Sequence, residues 1–242
     1  MTERLDKLIA SQGKLSRSDV KKMVKSGRVT VDGAVPKSAD IKVDAEKSVI
    51  ALDGKELCYK KHIYIMLNKP QGVISASSDK SQKTVVDLVP PELYRDGLFP
   101  AGRLDGDTVG FVLITDDGDF AHRILSPKNH IMKTYHATLK APLTESDIEA
   151  FHKGIELSDG TLCLEAEVKM ISENPPTAEV KICEGKYHQV KRMFAALGNK
   201  VVYLKRVKMG ELDLDESLEE GECREITAEE LLLIQNKIPL DT

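Results

Sequence analysis

From residue 63 onward the chain is a succession of short apolar runs, each cut off by turn-forming residues. Ile63 to Leu67 stops at Asn68-Lys69-Pro70, and Gly110 to Thr115 stops at Asp116-Asp117-Gly118. Runs of this length read as strands, and none approaches the roughly 18 apolar residues of a membrane-spanning helix. Residues 131–140 alternate, which places Ile131, Lys133, Tyr135, Ala137 and Leu139 on one strand face. Val168 to Ile171 and Ala178 to Cys183 read as further strands. Between them, Thr144 with Asp147 opens a helix that Gly154 ends. Val190, Met193, Phe194 and Leu197 then form an i, i+3, i+4, i+7 stripe closed by Gly198. The pattern predicts an α+β domain, a mixed and mostly antiparallel sheet with flanking helices.

Residues 1–58 read as a separate, smaller unit of two helices and a hairpin, leaving 59–242 as the second domain. Leu5, Leu8 and Ile9 give one helical stripe. Ser16 is a good N-cap with Asp19 three residues on, followed by Val20, Met23 and Val24 and then Gly27. Arg28 to Val31, the turn pair Asp32-Gly33, and Ala34-Val35 suggest the hairpin. The polar stretch 52–62 reads as a linker that lets the small unit swing until a ligand docks it.

The net charge of −4 hides a polarity. Residues 1–37 hold nine Lys or Arg against four Asp or Glu, whereas residues 211–230 are overwhelmingly acidic, with Arg224 their one cation. One surface is thereby suited to a polyanion. The exposed helical positions of the small unit carry Arg17, Lys21, Lys22 and Lys25, with Arg28 just beyond; alone, they fit a solvated helix face equally well. The four cysteines lie 105, 20 and 40 residues apart, a spacing that makes neither a metal knuckle nor a redox pair. Reduced thiols and an N-terminus without a secretory or transit pattern predict a cytoplasmic protein.

Three stretches could carry chemistry. In Pro100-Ala-Gly-Arg-Leu-Asp-Gly-Asp-Thr-Val-Gly110, Arg103 and Asp105 either shape a turn or line a site. The calcium-loop reading of Asp105 and Asp107 fails because Val109 stands where an oxygen ligand is required. Asp116, Asp117 and Asp119 read as solvated turn acids. In Glu184-Gly-Lys-Tyr-His-Gln-Val-Lys-Arg-Met193, Lys191 sits at the border of the apolar stripe, with His188 and Arg192 on the opposite face. A border lysine either snorkels to water or meets a buried carboxylate. Tyr135 is either a packed ring or a stacking platform.

Taken together, Gly102-Arg-Leu-Asp105, Asp107-Thr, Gly110, Thr115-Asp-Asp-Gly118, Lys133-Thr-Tyr135 and Gly185-Lys-Tyr-His-Gln-Val-Lys-Arg-Met193 resemble, in order and spacing, the RsuA-type ribosomal RNA pseudouridine synthases. Val109 and Phe111 are mild departures from that pattern. Residues 3 to about 50 resemble the small RNA-binding domain named after ribosomal protein S4.

The resemblance implies catalysis by Asp105, Tyr135 and Lys191, with Lys191 pairing the Asp105 carboxylate and Tyr135 stacking on uracil. It implies RNA contacts from Arg103, Val190 and Arg192, and from Arg17, Lys21, Lys22, Lys25 and Arg28 in the small unit. The reaction so implied involves no redox or group transfer and hence no organic cofactor, and no histidine pair or cysteine cluster has the spacing of a metal site. The expected partner is ribosomal RNA within a small-subunit assembly intermediate, bound by a monomer, and by analogy the target is uridine 516 of 16S RNA. The competing readings are an enzyme for 23S RNA, a non-catalytic assembly factor, and a carboxylate-pair hydrolase relying on Asp116 or Asp119.

Overall fold

The computed structural model describes residues 2–235. They form two compact units, one running from the N-terminus to Ile63 and including Val89–Leu98, the other comprising Tyr64–Leu88 and the chain from Phe99 onward.

In the first unit, β1 (Thr2–Arg4) leads into α1 (Leu5–Ala10), followed by α2 (Arg17–Lys25), β2 (Val29–Val31), β3 (Lys42–Asp44), β4 (Ile50–Leu52) and β5 (Lys55–Glu56). The Ser16 hydroxyl accepts from the Asp19 N–H at 3.2 Å, and the Asp19 carboxylate accepts from the Ser16 N–H at 3.3 Å. That reciprocal cap satisfies two donors that a helix start otherwise leaves unpaired. Leu5, Leu8, Ile9, Val20, Met23 and Val24 are all buried in one core, as their spacing predicts.

Three expectations for this region need correction. Asp32-Gly33 does turn the chain, and Val31 and Ala34 exchange backbone hydrogen bonds, but no second arm follows. Pro36 offers no N–H to a ladder, and β2 pairs with β4 instead. The supposed linker is also structured: β4 pairs with β5 around Asp53-Gly54, and Leu57 and Tyr59 pack on the core. Residues 89–98, assigned by sequence to the second domain, belong to this unit. The Arg95 guanidinium donates to the Lys60 carbonyl at 3.0 Å and to Gln12 Oε1 at 3.3 Å, and the Lys14 ammonium lies 5.1 Å from the Tyr94 ring centre.

The second unit is built on one mixed sheet. Its elements are β6 (Tyr64–Lys69), β7 (Phe99–Pro100), β8 (Val109–Thr115), α3 (Gly118–Leu125), β9 (Lys133–Leu139), α4 (Glu145–Lys153), β10 (Glu167–Glu173), β11 (Pro176–Ile182), α5 (Gln189–Ala196), β12 (Val201–Met209), β13 (Leu212–Asp213), β14 (Cys223–Glu225) and α6 (Ala228–Gln235). The strand order is β10-β11-β9-β12-β8-β6-β14, with β13 beside β12 and β7 beside β8. Among the described residues every pairing in this sheet is antiparallel except β12 with β8. Gly110 makes that parallel contact possible: at φ 96° a side chain there would run into the Arg206 carbonyl.

One core joins Met66, Phe111, Leu113, Phe120, Ile124, Met209 and Ile234, bringing α3 and α6 onto the sheet. Phe151 of α4 and Phe194 of α5, both fully buried, meet at 5.0 Å between ring centres. The acids at 116–119 are not merely solvated. Asp117 caps α3 by accepting from the Phe120 N–H at 2.9 Å, and it accepts from the Tyr64 hydroxyl at 2.7 Å. Burial, reinforced by that carboxylate, pushes the Tyr64 hydroxyl well above its ordinary range. No helix among the described residues is long and apolar enough to cross a membrane.

Candidate active site

The loop leading into β8 carries Asp105 and is clamped from several sides. Ser75 Oγ donates to the Leu104 carbonyl and accepts from the Leu104 N–H, both at 3.0 Å. The Gly72 N–H donates to the Gly106 carbonyl at 2.7 Å. Lys69, fully buried at the end of β6, donates from its ammonium to the Thr108 carbonyl at 2.9 Å, the Pro70 carbonyl at 3.1 Å and the Gly106 carbonyl at 3.4 Å. Burial lowers the Lys69 ammonium to about 8, while the charges of Asp105 and Asp107 pull the other way. A loop so held presents its carboxylate in one place, which is what preorganised chemistry requires.

Opposite that loop stands the start of α5. The Glu184 carboxylate, 5% exposed, accepts from the Leu164 N–H at 2.9 Å and from Gln189 Nε2 at 2.7 Å, and it pairs with Lys186. This fixes the turn into the helix. His188 sits at the turn with φ 47°, a left-handed conformation rare outside glycine. One turn on, Lys191 Nζ reaches Asp105 Oδ2 at 3.2 Å and Asp107 Oδ1 at 2.5 Å. The hydrogen bond from Lys191 holds the Asp107 carboxyl below its usual range. His188 Nε2 lies 3.4 Å from Asp105 Oδ1, and the exposed Tyr187 ring stacks on the imidazole at 3.8 Å.

A cleft opens in front of Asp105. Tyr135, Ile182, Val190 and Leu204 form its apolar wall, and Arg103 stands at its rim. Tyr135 is only 8% exposed. Thr108 also lines the cleft, and its hydroxyl is buried without a hydrogen-bond partner. The site therefore combines a carboxylate paired with an ammonium, a flat aromatic surface and an unused polar group. Among the described residues no cluster of His, Cys, Asp and Glu could hold a metal ion.

The structure brings Asp105, Lys191, Tyr135, Val190 and Arg103, the residues that the family resemblance singles out, into one place. Arg192 is not part of the cleft; its guanidinium pairs with Asp159 at 2.6 Å and lowers that carboxyl to about 2. In the first unit Arg17, Lys21, Lys22, Lys25 and Arg28 are all exposed, although Arg28 is paired with Asp53 at 2.6 Å.

Sequence reasoning missed His188 and Lys69. His188 was placed by helical periodicity, but the helix begins one residue later, so the wheel does not apply to it. Lys69 had a usable signal, since strand alternation puts it on the face of Ile65 and Leu67.

Residues 63–196 match the family model described as RNA pseudouridylate synthase, and residues 3–49 match the S4 domain. The chain is 48% identical over 233 residues to an uncharacterized RNA pseudouridine synthase, YtzG, of Bacillus subtilis, covering 96% of this chain and 98% of the relative. It is 44% identical to the ribosomal small subunit pseudouridine synthase A of Vibrio cholerae, covering 96% and 99%. The corresponding Escherichia coli protein is 43% identical, with 94% and 98% covered. A crystal structure of a pseudouridylate synthase superimposes with a TM-score of 0.66 at 41% identity, covering 96% of this chain and 99% of that one. Family match, near-full-length relatives and shared fold agree: the chain belongs to the RsuA-type branch of the RNA pseudouridine synthases and carries an S4 domain at its N-terminus.

Proposed function

We propose that this enzyme converts one uridine of small-subunit ribosomal RNA to pseudouridine in the cytoplasm, with Asp105 as the catalytic carboxylate. The observation that carries the proposal is the pairing of Asp105 with Lys191 beside the Tyr135 ring. The names of the Vibrio and Escherichia relatives support the small-subunit substrate, and uridine 516 is the position we assign by analogy.

A uridine within folded RNA must leave its stack before an enzyme reaches its glycosidic bond. Arg103 at the rim fills the space it vacates, and Tyr135 stacks on the uracil with Val190 behind it. Asp105 then acts on the sugar, by attack at C1′ or by taking a ribose proton. The N1–C1′ bond breaks, the uracil turns, and a C1′–C5 bond forms as the C5 proton is lost and N1 gains one. Atoms are conserved, so no redox or group-transfer cofactor is needed. Lys191 stays paired with the Asp105 carboxylate beside the apolar wall throughout. All these groups come from one chain, so a monomer suffices. The exposed cations of α2 grip RNA backbone within a small-subunit assembly intermediate.

The test is carbodiimide mapping of pseudouridine in both ribosomal RNAs from cells lacking the protein, rescued with wild type or Asp105→Asn. We expect one small-subunit position to lose its mark and only wild type to restore it. A change at a large-subunit position would overturn the substrate, and no change anywhere would overturn the activity.

A further inference from the structure

A second cleft, of about 330 Å3, adjoins the one containing Asp105, and Asp107, Lys191 and Leu204 border it. Leu204 lines both clefts, and the Lys191 ammonium that holds Asp105 also marks one end of this one. Its far wall is the segment from the end of α5 into β12. That wall is firm: Asn199 Nδ2 donates to the Ala141 carbonyl at 2.9 Å, and Asn199 Oδ1 accepts from the Ala141 N–H at 3.3 Å. The pairing of β12 with β9 then slips between Val201 and Tyr203. Such irregularities re-aim side chains next to functional sites. Here Val202 and Tyr203 remain 66% and 43% exposed, although the rest of the strand is largely covered. Lys200 is exposed beside them.

We infer that this cleft is a subsite for the nucleotide adjacent to the target uridine, whose base stacks on Tyr203 and whose phosphate meets Lys200. The inference rests on the function proposed above. The size argues for one nucleotide, because the volume lies at the low end of small-ligand pockets, at roughly 300–1,000 Å3. Continuity argues for RNA, because a chain with one sugar at Asp105 must pass a neighbouring residue over the rim. Charge gives the orientation. Asp107, bound to Lys191, repels phosphate at the near end, whereas Lys200 attracts it at the far end. A tyrosine face accepts any base, so the subsite contributes affinity and register rather than a sequence code.

The test uses an RNA fragment containing the mapped uridine, with 2-aminopurine replacing each neighbouring nucleotide in turn. At one of the two positions wild type and Tyr203→Phe should quench the probe by stacking, and Tyr203→Ala should not. On the unlabelled fragment Tyr203→Ala should lower kcat/KM by about five- to 150-fold, the range of one base–aromatic stack, while the single-turnover rate at saturating RNA is unchanged. Lys200→Ala, an exposed position that the fold does not need, should reduce the salt dependence of binding by about one phosphate contact. Equal quenching by wild type and Tyr203→Ala at both positions, or unchanged kcat/KM, overturns the subsite alone. Absence of any pseudouridine that depends on the wild type in the mapped ribosomal RNAs overturns the functional reading, and the subsite with it.

Discussion

The two units use their cations in opposite ways. On α2, Arg17, Lys21 and Lys25 stand in water on a helix whose other face is core. In the second unit Lys69, Lys133 and Arg206 are at most 4% exposed, and Lys191 is tied to two carboxylates. The Lys133 ammonium donates to the Cys183 carbonyl at 3.0 Å, and Arg206 Nε donates to the Phe111 carbonyl at 2.7 Å. An exposed cation sells its charge cheaply to any phosphate, whereas a buried one is too costly to desolvate unless it fixes geometry. The cations of the first unit are thus open to a polyanion, and those of the second hold backbone and carboxylates in position.

The largest test of this division is Lys191→Met. It should abolish turnover yet leave RNA affinity within about a few-fold, since the lost ammonium neutralises Asp105 rather than a phosphate. Parallel single-turnover and filter-binding assays measure both, and a collapse of binding would place Lys191 on the affinity side. Lys69→Met comes next. It strips a donor from three carbonyls, so stability should fall by about 1–3 kcal/mol and Tm by roughly 2–12 °C. Turnover should drop by roughly a hundredfold as the Asp105 loop loosens. Unchanged turnover in a folded variant would show that the clamp is structural only.

Replacing Arg17, Lys21 or Lys25 by Ala should act in the other direction. Each should weaken binding a few-fold and reduce the slope of log affinity against log salt by about one, with the bound rate untouched. The smallest effect is in pH. Burial lowers the ammonium groups of Lys69 and Lys133 to about 8 from 10.5, so between those values the unfolded chain holds more protons than the folded one. Stability contributed by these groups therefore rises with pH across that window. Denaturant midpoints of wild type and Lys69→Met, compared from pH 8 to 10, should move apart as the wild type gains stability that the variant cannot.

How much of this was legible depended on range. The capping boxes at Ser16 and Thr144 and the stripe on α5 were readable because their partners lie within four residues. Lys191 was readable for the same reason: helical periodicity puts it beside the core, where an ammonium needs an anion. The paired anion itself, 86 residues away, came only from the family resemblance. The place of residues 89–98 in the first unit depends on Arg95 reaching Gln12, a contact with no local signature. The start of α3 was hidden because Asp116-Asp117-Gly118 serves equally as a turn and as a helix cap.

The single parallel pairing in the sheet also sets an order in time. Gly110 on β8 has no neighbour at Arg206 until β12 has been synthesised, and everything between them must fold back before that edge closes. On the ribosome, Asp105 leaves the exit tunnel long before Lys191 does. By then the growing chain contains every residue of the first unit, 89–98 included, while its carboxylate still lacks a counterion. The ion pair at the candidate site is therefore among the last contacts that synthesis makes possible.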